Sequence, residues 1–314
     1  GSFETVISDI RKFDLGISDD SPILRTTRDG LKRRQAMSAP ISKTGLKEVP
    51  THDPVWHQLR DEAQAMVAAE PALSSFVYET VLNHDSLEEA VVHRLGDRLG
   101  RDIVSASLIR QTYLEALADE PELAKIFRVD IVAVFDRDPA CFRFLEPVLY
   151  FKGFHGLQTH RLANWLWRRG RKDFALYLQS RSSEVFQIDI HPAVPVGRGI
   201  FIDHGTGIVV GGTAVIEDDV SILQGVTLGG TGKEDGDRHP KIRRGVLLGA
   251  GAKVLGNLEI GHCSRIASGS VVLQDVPANT TVAGVPAKIV GKAGCAEPAR
   301  SMNQLLGEDA GQTN

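Results

Sequence analysis

A six-residue spacing of aliphatic side chains in the last third of the chain constrains the fold more than any other feature. Ile242, Leu248, Val254, Ile260, Ile266 and Val272 follow at intervals of six, and four residues after each come Val246, Ala252, Leu258, Ser264, Ser270 and Val276. An earlier stretch keeps the interval through Ile190, Val196, Ile202 and Ile208, slips by two, and resumes at Val210, Ile216, Ile222 and Leu228. An α-helix turns about 600° in six residues, which scatters these positions over several faces. Short strands joined by tight corners point all of them inward. The spacing therefore predicts a parallel β-helix whose stacked coils bury one continuous apolar core.

The spacing breaks once badly, with fourteen residues from Leu228 to Ile242. The surplus of eight is expected to leave the coil as a loop over 229–240, rich in glycine and ending in Arg238 and His239. Loops that leave a rigid scaffold are common places for function.

Ahead of the repeats the pattern is helical. Trp56, Leu59, Ala63 and Met66 share one helical face, and Ser86 to Glu89 reads as a capping box opening a second helix. A further helix is expected from Pro121 to Phe135, stopping before Asp136-Arg137-Asp138-Pro139, and two more over 153–167 and 172–183. The period changes from 3.6 to 6 near Phe186. The expected organisation is α+β: a mobile segment over 1–50, an all-helical N-terminal domain over 51–186, a β-helix over 187–291 with one extruded loop, and a flexible tail over 292–314.

Bulk properties exclude several classes of function. The 314 residues carry a net charge of −4 and no long basic run, which argues against nucleic acid and anionic membrane surfaces. The densest basic stretch, Arg168 to Lys172, reads as a helix C-terminus capped at Gly170. No apolar run approaches the roughly 20 residues of a membrane span, no secretory leader pattern is visible, and Gly1-Ser2 resembles a cloning remnant. Cys141, Cys263 and Cys295 lie far apart without metal-ligand spacing, which suits a reducing cytoplasm. No metal is expected.

Among the histidines, His204 stands at an outward position beside Asp203 and Gly205. With coils of eighteen residues, Asp189 lies one coil earlier and three residues out of register, where stacked strands about 4.8 Å apart let the two side chains meet. A carboxylate on one imidazole nitrogen leaves the other as a general base. Spacing alone favours a solvated histidine on a solenoid corner over the pair. Arg238 with Asp203 and Asp138 forms a second set, an arginine fork for a carboxylate and two acids for an ammonium, which would suit an amino acid; loop salt bridges explain the same residues. His155 and His160 sit among apolar neighbours on a helix and read as structural, and His262 as solvent-facing.

Several runs together resemble the serine acetyltransferase family of hexapeptide-repeat acyltransferases. They are Asp136-Arg-Asp-Pro-Ala140, Tyr150 to Gln158, Asp189-Ile-His-Pro192, Asp203 to Gly211, Thr227 to Lys233, Gly236 to Lys241 and Gly284 to Lys288. The resemblance implies a left-handed β-helix, a homotrimer with active sites between neighbouring subunits, and a hexamer formed as a dimer of trimers. It implies acetyl transfer from acetyl-CoA to L-serine, the first step of cysteine biosynthesis, with His204 as general base and Asp189 orienting it. Asp138 and Asp203 would hold the serine ammonium, Arg238 and His239 its carboxylate, and Gly230 would line the pocket. Acetyl-CoA would lie against Ala250 and Ser268, with Lys288 and Arg265 near its phosphates. Cysteine is expected to inhibit from the serine pocket. Two departures stand out: Gly212 replaces a common glutamate, and the chain ends in Asn314 where an isoleucine often inserts into O-acetylserine sulfhydrylase, which puts that complex in doubt.

Overall fold

The computed structural model describes residues 53–232, 235–294 and 297–304. The segment 1–50 and most of the expected tail lie outside them.

The N-terminal half is helical: α1 (Pro54–Ala69), α2 (Ser74–Val77), α3 (Leu87–Leu99), α4 (Ala106–Asp119), α5 (Glu122–Arg137), α6 (Leu145–Leu149), α7 (Lys152–Arg168) and α8 (Lys172–Phe186). Trp56, Leu59, Ala63 and Met66 are all buried along α1. Ser86 Oγ accepts from the Glu89 amide, and the Glu89 carboxylate reaches back to the Asp85 amide at 3.1 Å, one residue before the position a capping box uses. Helix α5 runs two residues further than expected, through Arg137. Proline restricts only the residue before it, and Asp138 alone turns extended (ψ 108°) ahead of Pro139. The basic stretch after α7 is occupied: Arg168 pairs with Glu120, Arg169 with Asp119, and Lys172 lies over the Trp167 ring.

From Ile188 the chain winds into a left-handed parallel β-helix with three faces. The first face stacks β1 (Ile188–Ile190), β3 (Ile208–Val210), β6 (Thr227–Gly229), β9 (Lys253–Leu255) and β12 (Val271–Val272). The second stacks β4 (Val215–Ile216), β7 (Lys241–Ile242) and β10 (Glu259–Ile260). The third stacks β2 (Phe201–Ile202), β5 (Ser221–Ile222), β8 (Leu247–Leu248), β11 (Arg265–Ile266) and β13 (Thr280–Gly284), and β14 (Ala287–Lys292) closes it antiparallel to β13. The coil thus continues one strand past Val276 before the hairpin ends it. The hexad aliphatics from Ile190 to Val276 form the core, all buried except the half-buried Val196 and Leu258.

Register locates the irregularities. Phe201 pairs with Ser221, twenty residues on, whereas Val209 pairs with Thr227, eighteen on. The two surplus residues therefore lie in the corner over 203–207, not after Ile208. Val215 pairs with Lys241, so the surplus eight fall between Leu228 and Lys241, where the loop was expected.

The helices brace the first coil. Buried Asp130 accepts from Arg161 Nη2 at 2.7 Å, Gln158 Nε2 at 2.9 Å and the Ile200 amide at 3.1 Å, and Arg161 also donates to the Gly197 carbonyl at 2.8 Å. Gly153 lies so close to the coil that a Cβ there would come within 2.0 Å of the Ile202 carbonyl oxygen. Ser182 Oγ on α8 donates to the Ile188 carbonyl at 2.8 Å.

Candidate active site

The edge between the third and first faces carries Asp203 and His204 in the enlarged corner. Its two extra residues let the chain leave coil geometry: His204 adopts φ 56°, in the left-handed region a non-glycine residue seldom occupies. The Gly207 amide ties the corner to the Gln187 carbonyl at 3.0 Å, and Lys152 Nζ on α7 donates to Thr206 Oγ1 at 2.5 Å. The imidazole is 74% exposed, with Nε2 3.7 Å from Asp203 Oδ1. Burial pushes the Asp203 carboxyl above the usual carboxylate range, His204 draws it back, and the Asp138 charge adds to the rise. Asp138 thus reaches the same corner from the end of α5, its Oδ1 accepting the Ala140 amide at 2.8 Å. Two acids beside an exposed imidazole make a place where a cation is favoured next to a base.

The same edge runs on to the expected acetyl-CoA contacts. The Gly225 amide bonds the Thr206 carbonyl, the Gly251 amide the Gln224 carbonyl, and the Gly269 amide the Ala250 carbonyl at 2.7 Å. Ala250 and Ser268 therefore stand in line with His204, about 4.8 Å apart per coil. Lys288 is exposed on the closing hairpin. Arg265 departs from its expected place near the phosphates. It is 7% exposed, because residues 297–304 cross the third face and cover it, and its Nη1 donates to the Asn303 carbonyl at 2.9 Å. Ser268 Oγ donates to Gln304 Oε1 at 2.8 Å under the same segment.

Arg238, His239 and Gly230 collect at the opposite edge, between the first and second faces. Thr213, which carried no signal in the sequence, organises them. Its Oγ1 accepts from the amides of Arg238 (3.0 Å) and His239 (3.1 Å), and its own amide donates to His239 Nδ1 at 3.2 Å. An Nδ1 that accepts a backbone N–H puts the ring proton on Nε2. Burial, with Arg238 and Lys241 nearby, lowers the His239 pKa. Gly211 makes room for this ring, since a Cβ there would lie 2.0 Å from Nε2. Gly212 backs the His191 ring, with a Cβ position 3.1 Å from Nδ1. Gly230 packs on the Arg238 stem, 3.5 Å from a Cβ position to Cδ.

The chain does not join Asp189 to His204. With twenty residues in the first coil, Asp189 pairs with Val209 and is five residues out of register with His204, not three. Asp189 Oδ1 instead accepts from Gln179 Nε2 at 2.7 Å. Gln179 is half-buried on the face of α8 that carries buried Ala175, Ser182 and Phe186, and carried no signal of this contact in the sequence. The two edges are likewise separate, with β3 between them, about 10 Å of strand. His155 and His160 are buried structural residues whose Nε2 atoms bond the Val148 and Val194 carbonyls, and burial lowers their pKa values to about 3 and about 4. Glu79, His93 and Asp97 bring three metal-ligating atoms within 4.8 Å, but Arg110 Nη1 lies 2.7 Å from His93 Nδ1 and supplies the cation itself.

The family profile described as "Serine acetyltransferase, N-terminal" matches residues 55–159. A serine acetyltransferase of Salmonella typhimurium is 54% identical over 250 residues, covering 80% of this chain and 92% of that protein. The crystal structure of serine acetyltransferase in complex with coenzyme A from Brucella abortus superposes with a TM-score of 0.77 at 63% identity, covering 78% of this chain and 98% of that one. A serine acetyltransferase complex with cysteine superposes with a TM-score of 0.78 at 50% identity, covering 80% and 98%. The chain belongs to the serine acetyltransferase family.

Proposed function

We propose that the chain transfers the acetyl group of acetyl-CoA to the hydroxyl of L-serine, giving O-acetylserine and CoA, with cysteine as a competing inhibitor. The observation that carries this is the Asp138, Asp203 and His204 corner, set at the head of the edge that continues through Ala250 and Ser268. The acids hold the serine ammonium and present its hydroxyl to the imidazole. His204 removes the hydroxyl proton as the oxygen attacks the thioester carbonyl, a carbon–oxygen bond forms, and the tetrahedral adduct collapses with loss of the thiolate. The proton held on His204 then passes to sulfur. The reaction needs no covalent enzyme intermediate and no metal.

Arg238, His239 and Gly230 supply the carboxylate end of the pocket, an arginine fork beside an imidazole N–H. Because they occupy the other edge, a neighbouring copy would bring them to His204. The reading therefore includes a trimer with sites at its subunit contacts, paired into a hexamer through the helical parts, in a reducing cytoplasm. Asp189 orients a His204 imidazole at such a contact.

Thiol release from acetyl-CoA, measured with L-serine, other alcohols and added cysteine, tests the reading. L-Serine is expected to be preferred and cysteine to suppress turnover. His204→Ala should lower kcat by about 10²-fold or more while sparing acetyl-CoA binding. Equal rates with sugar hydroxyls, or unchanged turnover in His204→Ala, would overturn it.

A further inference from the structure

Helix α8 does more than cover the first coil. Gln179 Nε2 donates to Asp189 Oδ1 at 2.7 Å, and three residues on, Ser182 Oγ donates to the Ile188 carbonyl at 2.8 Å. The helix C-cap, Gln187, accepts the amide of Gly207 from the His204 corner at 3.0 Å. One helix thus grips the strand of the expected orienting acid by side chain and backbone, and its end grips the corner of the expected base. Around Gln179, buried His160, Ser182, Thr159 and Ile190 line a small space of about 10 Å³. Oδ2 of Asp189 has no hydrogen-bond partner among the described residues.

We propose that Gln179 is a positioning residue for the acetyl transfer: it holds Asp189 Oδ1, so that Oδ2 is presented to an imidazole N–H of His204 at the subunit contact. This rests on the proposed function and extends it to a residue of the helical half. An amide can donate here without bringing a competing charge. A carboxylate orients only if its own rotamer is fixed, and a hydrogen bond to a charged acceptor is strong enough to fix it. The titratable neighbours of this strand do not replace Gln179. His160, on α7, is buried and its Nε2–H donates to the Val194 carbonyl at 3.0 Å. His191, on the coil itself, turns its Nδ1 to the Ala193 amide at 3.1 Å.

A double-mutant cycle on the full chain tests the assignment. Gln179→Met keeps size and removes the donor, and is expected to lower kcat about tenfold while both KM values stay within about twofold. Asp189→Asn is expected to lower kcat at least as far. In the Asp189→Asn background, Gln179→Met should have no further effect, because the residues act as a unit. Gln179→Glu, which sets a second carboxylate against Asp189, should be worse than Gln179→Met. If Asp189→Asn lowers kcat but Gln179→Met is silent, or the two multiply independently, the positioning role is overturned and the proposed function stands. If Asp189→Asn leaves kcat unchanged, the orienting role of Asp189 falls and this proposal with it. Thermal midpoints of each variant separate a folding defect, which would lower stability without the kcat coupling.

Discussion

Asp203 shows how a residue of the proposed site works against stability. Burial holds its carboxyl above the ordinary range, with Asp138 adding to the rise. A native carboxyl with a raised pKa binds more protons than its unfolded counterpart, so this group makes the fold less stable as pH rises through the window between the two values. Asp203→Asn removes that effect. Its melting temperature should exceed the wild type at pH 7, with the gain fading as pH falls through the carboxylate range. The KM for serine should rise about tenfold or more, since a charge-assisted hydrogen bond is lost. A variant that lost stability most at pH 7, or kept its serine KM, would contradict this. At this scale the sequence was partly legible. Asp203 and His204 share a corner and could be read from adjacency. Asp189 could not, because the two residues added in 203–207 shift the register. Arg265 could not, because the segment that buries it comes from 297–304, some forty residues on.

At the scale of elements, the proposed catalytic corner is set by what presses on it. Helix α7 meets Ile202 at Gly153, where no side chain fits, and Lys152 holds Thr206. Gly153→Ala must push α7 away from β2 or twist Ile202. That overpacking should cost about 2–3 kcal/mol, lowering the melting temperature by roughly 3–6 °C for a chain of this size. Turnover should fall with it, because Ile202 immediately precedes Asp203. An unchanged melting temperature would show that the contact is loose. The six-residue period announced the aliphatic row that lines the coil from Ile190 to Val276, since each member is fixed by the same alternation of strand and corner. The ends of elements were harder to read. Helix α5 outran its expected end because proline acts only on Asp138, and the stack outran Val276 because β13 and β14 close it by antiparallel pairing, which has no hexad signature.

For the whole molecule, the decisive fact is that one chain sets the residues of the proposed substrate site on two edges of a prism. His204, Asp203 and Asp138 stand on one, and Arg238, His239 and Gly230 on the other, with the first face between them. A single sequence could list these residues, but their separation follows from which corner each occupies, and only the register settles that. Closed cyclic assemblies bring unlike edges of identical subunits together at each contact. The most direct test is complementation between two disabled chains, His204→Ala and Arg238→Ala, each assayed alone and after co-expression at serine concentrations well below KM. If each site takes its base from one copy and its carboxylate fork from the next, random assortment gives about one quarter intact sites, and the mixture should recover roughly a quarter of wild-type activity. A mixture no more active than the average of its two parents would show that each chain builds its own site, and would contradict the account.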